Sequence, residues 1–350
     1  EGDAQRIVLK IANAGEDRAF LNAQHAVLQH LATRVEVTPR VVPTASGAPF
    51  AELSDSDDRG HLVWAVNHLP GRLLARAAYH DVALYEDLGR RTGEITAGLV
   101  GFDHPAVHRD FYWDVASARA IVAAHRSAID DHQLGETIDR LTAAFDEKVA
   151  PILDRLPRAV VHGDINDHNI LVEPRGPSPL RGWRVSGIVD FGDMVYSYRV
   201  ADLAIAVAYS MLDADDPLNV AAAMVRGFAE RVRLDDVELA AVYLLAAMRL
   251  CASVCIAADQ TRREPENEYL AVSQQPIRRT LPRLAAIPFG FAEVTLRDAA
   301  GRPAVAKRER VLEFLRRADP AQVLELDVRD EPVMIVDLSI DSPLLSGDPR

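Results

Sequence analysis

In the stretch VVHGDINDHNILV, residues 160–172, six polar side chains stand between two apolar segments: His162, Asp164, Asn166, Asp167, His168 and Asn169. A surface loop could carry them for solubility alone, whereas a catalytic loop would need several of them at fixed spacing. The next twenty residues of the chain supply a test. NILVE reads as a short strand, PRGPSPLRGW as a loop dense in Pro and Gly, and RVSGIVDFG as a second strand, so a hairpin is the economical reading. An antiparallel pair brings the start of its first strand beside the end of its second, which makes Asn169 and Asp190 neighbours. Asp164 lies five residues before Asn169 on the loop feeding the same end. Two carboxylates and an amide oxygen therefore converge. Such oxygen donors suit Mg²⁺, which takes one or two carboxylates and completes its shell with water and substrate phosphates. One carboxylate is left to act on a hydroxyl.

The pattern H-G-D-x-x-x-x-N, an apolar strand and then IVDFG resembles the aminoglycoside phosphotransferase and choline kinase family, small-molecule kinases with a protein-kinase-like fold. The protein-kinase catalytic loop shares the Asp-to-Asn spacing and the D-F-G Asp, but carries Arg where this chain has Gly163. The resemblance covers roughly residues 5–287. It implies ATP as phosphate donor, Asp164 as the base or orienter of an acceptor hydroxyl, and Asn169 and Asp190 as holders of Mg²⁺ against the nucleotide phosphates. It also makes Lys10 the lysine that contacts the α and β phosphates, and WAVNHLPG the segment that meets adenine through backbone groups. Asp202, in RVADLA, matches an aspartate that holds the catalytic loop; by itself it reads equally as a charge at a helix N-terminus. His162 reads as a brace for the loop backbone. Asp167 and Asp193 read as solvated loop acids that could also favour an ammonium-bearing acceptor.

Two departures accompany the match. The helix after Lys10 lacks the Glu that would pair with that lysine; Gln24 is the nearest polar substitute, with His25 beside it. Nine residues before Lys10 leave no room for the Gly-rich loop and two strands of the family, so the nucleotide lobe is expected to lack them. RIVLKIAN, HGDINDHNILV, GIVDFGDMVYS and VADLAIAVAYSML are similar to the hydroxylysine-kinase-like branch, which phosphorylates a side-chain hydroxyl of an amino acid. The tail EPVMIVDLSIDSPL resembles the join in bacterial fusions that continue into peptidase-like and class III aminotransferase-like domains. It implies covalently linked downstream domains.

Elements must position these residues. RIVLKIA alternates as a strand with Lys10 on one face, and EDRAFLNAQHAVLQHLAT places Phe20, Val27, Leu28 and Leu31 at helical spacing. Short strands continue up to Pro70-Gly71. Residues 80–150 turn helical, as do stretches near 200–212, 217–233 and 235–258 and the segment YLAVSQQPIRRTLPRLAAI. Residues 288–350 suggest strand, helix and two strands, an appended α/β segment. The expected fold is α+β and two-lobed, protein-kinase-like. Residues 1–66 form a partial strand-rich N-lobe, 67–287 a helical C-lobe with the catalytic loop and metal site, and 288–350 a linker or the start of a following domain.

With 350 residues, 49% hydrophobic and 26% charged, the chain can bury a large core and is far from the composition of disorder. A formal charge of -13 argues against general affinity for nucleic acid or anionic lipid, so any phosphate must be held locally. Cys251 and Cys255 lie four apart in an apolar helical pattern and read as buried packing. The run LAAVYLLAAM, bounded by Glu238 and Arg249, is too short to span a bilayer, and with no signal-peptide pattern the chain reads as cytoplasmic. The sequence thus points to an ATP- and Mg²⁺-dependent phosphotransferase acting on a small hydroxylated, amine-bearing acceptor. True aminoglycoside phosphorylation is one alternative. The other is a pseudokinase that serves as a docking module within a longer polypeptide.

Overall fold

The alternating RIVLKI segment forms β1 (Ile7–Ile11), antiparallel to β4 (Gly60–Asn67) with Lys10 opposite Trp64. The computed structural model describes residues 6–54, 56, 59–176, 182–264, 274–304 and 313. β2 (Val41–Val42) and β3 (Ala51–Ser54) pair with the other edge of β4, making a four-stranded sheet. Among the described residues β1 pairs with β4 alone, and Ile7, Leu9 and Ile11 are exposed on it. Helix α1 (Arg18–Leu31) starts where the Asp17 carboxylate accepts the Ala19 N–H, 2.9 Å away. Its apolar face, with Phe20, Leu21, Val27 and Leu31, is buried, and its His25 ring lies 6.1 Å from that of Trp64 on β4.

After the Pro70-Gly71 turn the chain enters the second lobe. β5 (Arg72–Leu73), β7 (Ile170–Pro174) and β8 (Trp183–Ile188) form a sheet in the order β5-β7-β8, while β6 (Arg158–Val161) and β9 (Val195–Tyr198) form a separate ribbon. Their registers fix the two motif loops. Ile170 pairs with Ile188 at one side, and Val161 with Val195 at the other. Residues 162–169 and 189–194 are therefore anchored by strand pairing at both ends, and the expected hairpin is present.

Helices α2 (Val82–Gly98), α3 (Ala118–His125), α4 (His132–Lys148), α5 (Ala201–Ser210), α6 (Pro217–Ala229) and α7 (Asp236–Arg263) build the rest of this lobe, followed by helices Gln275–Ala286 and Phe289–Ala299. α2 and α6 meet backbone to backbone: a Cβ on Gly89 would come 1.9 Å from the Met224 carbonyl, and one on Gly227 equally close to that of Glu86. α2 also pins the hairpin, because the buried Asp87 carboxylate accepts the Val185 N–H at 2.7 Å. α7 is the axis of the lobe. It begins in a capping box formed by Asp235 and Glu238 and packs against α3, α4, α5 and the last two helices. Cys251 and Cys255 are buried on it as free thiols, and burial pushes the Cys255 thiol up to about 12.

Two expectations need correction. The apolar run does not end at Arg249: α7 passes through it for 28 residues and is long and apolar enough to cross a membrane by length and composition. Within its most apolar 18-residue window 94% of the residues are buried inside the protein, as in the core of a globular lobe. The segment FAEVTLRDAA is a helix and no strand. Its apparent alternation hid a helical period that buries Ala292, Leu296 and Ala299 together. This helix packs on α6 and α7, and its buried Arg297 donates to Asp236 at the start of α7, 3.0 Å away. The helical lobe thus runs past residue 287. The further strands and the fusion-like tail placed by sequence at 305–350 lie outside the described residues, apart from Glu313.

Leu296→Ala is expected to destabilise the main cooperative unfolding transition by about 2–5 kcal/mol, the cost of emptying a fully buried leucine site. Urea unfolding followed by circular dichroism checks this. An unchanged main transition would detach this helix from the lobe.

Candidate active site

Asp164 sits at the centre of a hydrogen-bonded loop. Its carbonyl accepts the Asn166 N–H at 2.9 Å and the Asn169 Nδ2 at 2.9 Å, while its Oδ2 accepts Asn166 Nδ2 and Asn169 Nδ2, each at 2.8 Å. Ile165, between the polar residues, is fully buried and holds the loop to the core. With Nδ2 of Asn169 spent on Asp164, its Oδ1 is left as an acceptor. The Asn169 carbonyl accepts the Val189 N–H at 2.9 Å, which carries the hairpin pairing one step further and sets Asp190 alongside.

His162 spans the two loops, in keeping with its reading as a brace. Its Nε2 lies 3.1 Å from the Val189 carbonyl and so donates, which leaves Nδ1 to accept the Asp164 N–H at 3.3 Å. Its ring stands 4.5 Å from that of the buried Phe191. Asp202, in the first turn of α5, accepts the N–H groups of His162 and Gly163, both at 2.9 Å. Burial pushes its carboxyl up, while the His162 ring and the two N–H groups pull the other way. Both contacts that the sequence allows are formed: Asp202 holds the loop and also lies in the first turn of α5.

Asp190 adopts a left-handed backbone, φ 68° and ψ 79°, uncommon for a residue with a side chain and frequent at functional sites. Its carboxylate is 57% exposed and pairs with Lys10, Nζ to Oδ1 3.2 Å. Lys10, Gln24, Asn169 and Asp190 all line one cavity of about 320 Å³, with Trp64 and Leu171 among its apolar walls. Gln24 is buried mid-helix on α1, and the lysine's ion pair goes to Asp190 rather than to that helix. The same cavity reaches Val66, His68 and Leu69 of the WAVNHLPG segment. The N–H groups of Asn67 and His68 are already taken by the Arg40 and Arg6 carbonyls.

Asp193 and Asp167 are less solvated than the sequence suggests. Burial pushes both carboxyls up, and neighbouring Asp164 adds to the rise in each. Three further residues escape a reading of the sequence. Asn166 clamps Asp164 from within the motif. Arg109 is held between the rings of Phe20 and Phe111, its guanidinium carbon 3.8 and 4.3 Å from their centres, and donates to the Gly192 and Met194 carbonyls. It thereby ties α1 to the loop after Asp190. Arg249 of α7 reaches Asp164 Oδ1 at 3.0 Å and also donates to the Trp113 carbonyl. Its signal is visible in the sequence, since it is the single charged residue between Glu238 and Asp259.

The donor set fits a magnesium ion better than a transition metal. Among the described residues no group of three or more His, Cys, Asp or Glu side chains could hold a metal. One exposed carboxylate and one amide oxygen, completed by phosphate oxygens and water, match the sparse protein contribution that Mg²⁺ accepts.

The chain is similar to known kinases in sequence and in fold. The chain is 31% identical over 282 residues to hydroxylysine kinase of Mus musculus, covering 77% of this chain and 74% of that protein. It is 33% identical over 278 residues to hydroxylysine kinase of Bos taurus, covering 76% and 73%. In fold it is similar to the amicoumacin kinase hAmiN, solved in complex with AMP-PNP, Ca²⁺ and Ami, with a TM-score of 0.59 at 15% identity over 81% of this chain and 85% of that one. A microcompartment-associated aminopropanol kinase gives 0.53 at 18% identity over 86% and 89%. The α+β protein-kinase-like architecture is thus shared. A model of the Phosphotransferase enzyme family (APH) matches residues 1–237, and the chain belongs to that family as a small-molecule kinase.

Proposed function

We propose that this kinase transfers the γ-phosphate of ATP to the hydroxyl of a small amine-bearing acceptor, such as a hydroxylated amino acid or an amino alcohol. The observation that carries the reading is the division of labour at Asn169. Its amide nitrogen holds Asp164, and its amide oxygen and Asp190 are left beside the cavity that Lys10 lines. Similarity to hydroxylysine kinases supports an acceptor of that class. The intact Asp164, Asn169 and Asp190 set argues for a working enzyme over a docking module.

In this reading Asp164 accepts a hydrogen bond from the acceptor hydroxyl and orients its oxygen toward the γ-phosphorus. The new O–P bond forms as the bond from the γ-phosphorus to the β,γ-bridging oxygen breaks; the acceptor proton passes to Asp164 and ADP leaves. Lys10 turns from Asp190 to the α and β phosphates, and Asn169 and Asp190 hold the metal side. Bound Mg²⁺ would supply charge neutralisation at the phosphate oxygens. The chain's own contribution is mostly position and electrostatics, which suits a loop so thoroughly tethered. Asp193 supplies the reason for an amine: a half-buried carboxylate crowded by Asp164 gains from an ammonium placed against it.

Assays with Mg-ATP against hydroxylysine, amino alcohols and aminoglycosides are expected to give turnover with the first two. Turnover confined to aminoglycosides would overturn the acceptor assignment. Asp164→Asn is expected to lower kcat by about 10²-fold or more while leaving nucleotide affinity within a few-fold. Asp190→Asn should instead weaken Mg-dependent nucleotide binding by about 10-fold or more in calorimetric titration. Asp193→Asn is expected to raise the KM for an amine-bearing acceptor by about 10-fold with a smaller change in kcat. Equal KM for Asp193→Asn and wild type would remove Asp193 from acceptor recognition.

A further inference from the structure

Residues 239–258 of α7 are twenty in number and carry one charge, Arg249. The residue is 3% exposed. A guanidinium does not shed its proton when buried, so such a placement is unfavourable unless partners compensate it. The partners are specific. Nη2 donates to Asp164 Oδ1 at 3.0 Å, Nη1 to the Trp113 carbonyl, and the guanidinium carbon lies 5.2 Å from the centre of the Trp113 ring and 5.9 Å from that of Tyr209. Nε has no partner. An otherwise apolar core helix has thus been made to carry a cation whose only carboxylate contact within 4 Å, among the described residues, is the one that meets the acceptor.

A count of acceptor positions gives that contact a purpose. A carboxylate offers about four lone-pair positions, two on each oxygen. On Asp164, Oδ2 takes two donors, Asn166 and Asn169, and Oδ1 takes one, Arg249. Among the described residues a single position stays open, on Oδ1. From this we infer that Arg249 is a positioning residue: it fixes the Asp164 carboxylate from the side opposite the asparagines, so that an acceptor hydroxyl docks on Oδ1, next to the guanidinium. This rests on the phosphotransferase reading and adds to it which oxygen meets the hydroxyl and what holds it still. Without Arg249 the carboxylate keeps its two asparagine contacts on Oδ2 but offers two open positions on Oδ1, and can turn about its Cβ–Cγ bond. Arg249 acts through Asp164 and has no separate contact with the phosphates.

The test is a double-mutant cycle on the full chain with Mg-ATP and a hydroxylated amine acceptor. Arg249→Gln and Arg249→Lys are made alone and with Asp164→Asn, and kcat, both KM values and thermal unfolding are recorded. Arg249→Gln alone is expected to lower kcat by about 10²-fold, the scale of a misplaced catalytic group, with the KM for ATP within about twofold of wild type. In the Asp164→Asn background the same change should cost less than about twofold, because residues that act as a unit are not additive. Arg249→Lys, which keeps the charge and loses the fork, should recover about 10-fold of the lost kcat. Equal factors in the two backgrounds, or a loss in KM for ATP that matches the loss in kcat, would overturn the inference and leave Arg249 a packing residue. If Arg249→Gln fails to fold, the Arg249→Lys cycle decides by the same comparison. Wild-type protein without turnover on any acceptor would overturn the phosphotransferase reading itself. Wild-type turnover together with unimpaired Arg249→Gln would overturn only the role of Arg249.

Discussion

The geometry of this site depends on a carboxylate that is closed off from solvent. Asp202 is completely buried in the first turn of α5, and each of its oxygens accepts one backbone N–H from the catalytic loop, His162 on one and Gly163 on the other. Burying a carboxylate is costly, and the two hydrogen bonds and the positive end of α5 offset it. Because the two donors are successive residues, Asp202 fixes the direction in which the chain leaves β6. That direction decides where Asp164 stands one residue later. His162 then passes the constraint across to the Val189 carbonyl, immediately before Asp190. One buried acid thus fixes the relative position of both motif loops.

Gly163 shows how little room the arrangement leaves. Its φ is +85°, and a Cβ there would lie 2.3 Å from the Asp193 carbonyl oxygen. Any side chain would push the catalytic loop away from the segment after Asp190. The glycine that separates this motif from the protein-kinase pattern is therefore demanded by both backbone conformation and contact. Across the gap, Asp190 takes the complementary strain on a residue with a side chain. Strand pairing at Ile170–Ile188 and Val161–Val195 holds the ends of both loops, so neither can relax by sliding.

Part of this site is legible in the sequence because the relevant contacts are local in a hairpin. Asn169 and Asp190 are twenty-one residues apart in number yet fixed as neighbours by strand register, and Asp164 follows from loop length. The strand that carries Lys10 is legible from its alternation, whereas the place of Lys10 in the site is implied only by the family resemblance. Contacts made by distant elements are not legible. Arg249 reads as the end of an apolar run, because hydropathy reports that a charge interrupts a pattern and says nothing of what the charge faces. Arg109 carries no such signal at all. The helix Phe289–Ala299 resembles a strand because Ala292, Val294 and Leu296 alternate with Glu293, Thr295 and Arg297 over a short window; burial against α6 and α7 decides in favour of the helix.

Fixed and movable parts of the site are separated by burial. Asp164 is clamped from two sides, by its own loop and by a buried cation on the central helix, where low solvent access makes each contact count. Lys10 and Asp190, by contrast, form an ion pair whose partners are 33% and 57% exposed. Such a pair is worth only about 0–1 kcal/mol, because water competes for both charges. Little is therefore lost if either partner turns away to another charge, whereas displacing Asp164 would strand a cation in the core. The molecule thus keeps Asp164, the group proposed to align the hydroxyl, rigid and leaves Lys10 and Asp190, the groups proposed to meet the nucleotide and its metal, weakly engaged, a distribution suited to catalysis by positioning.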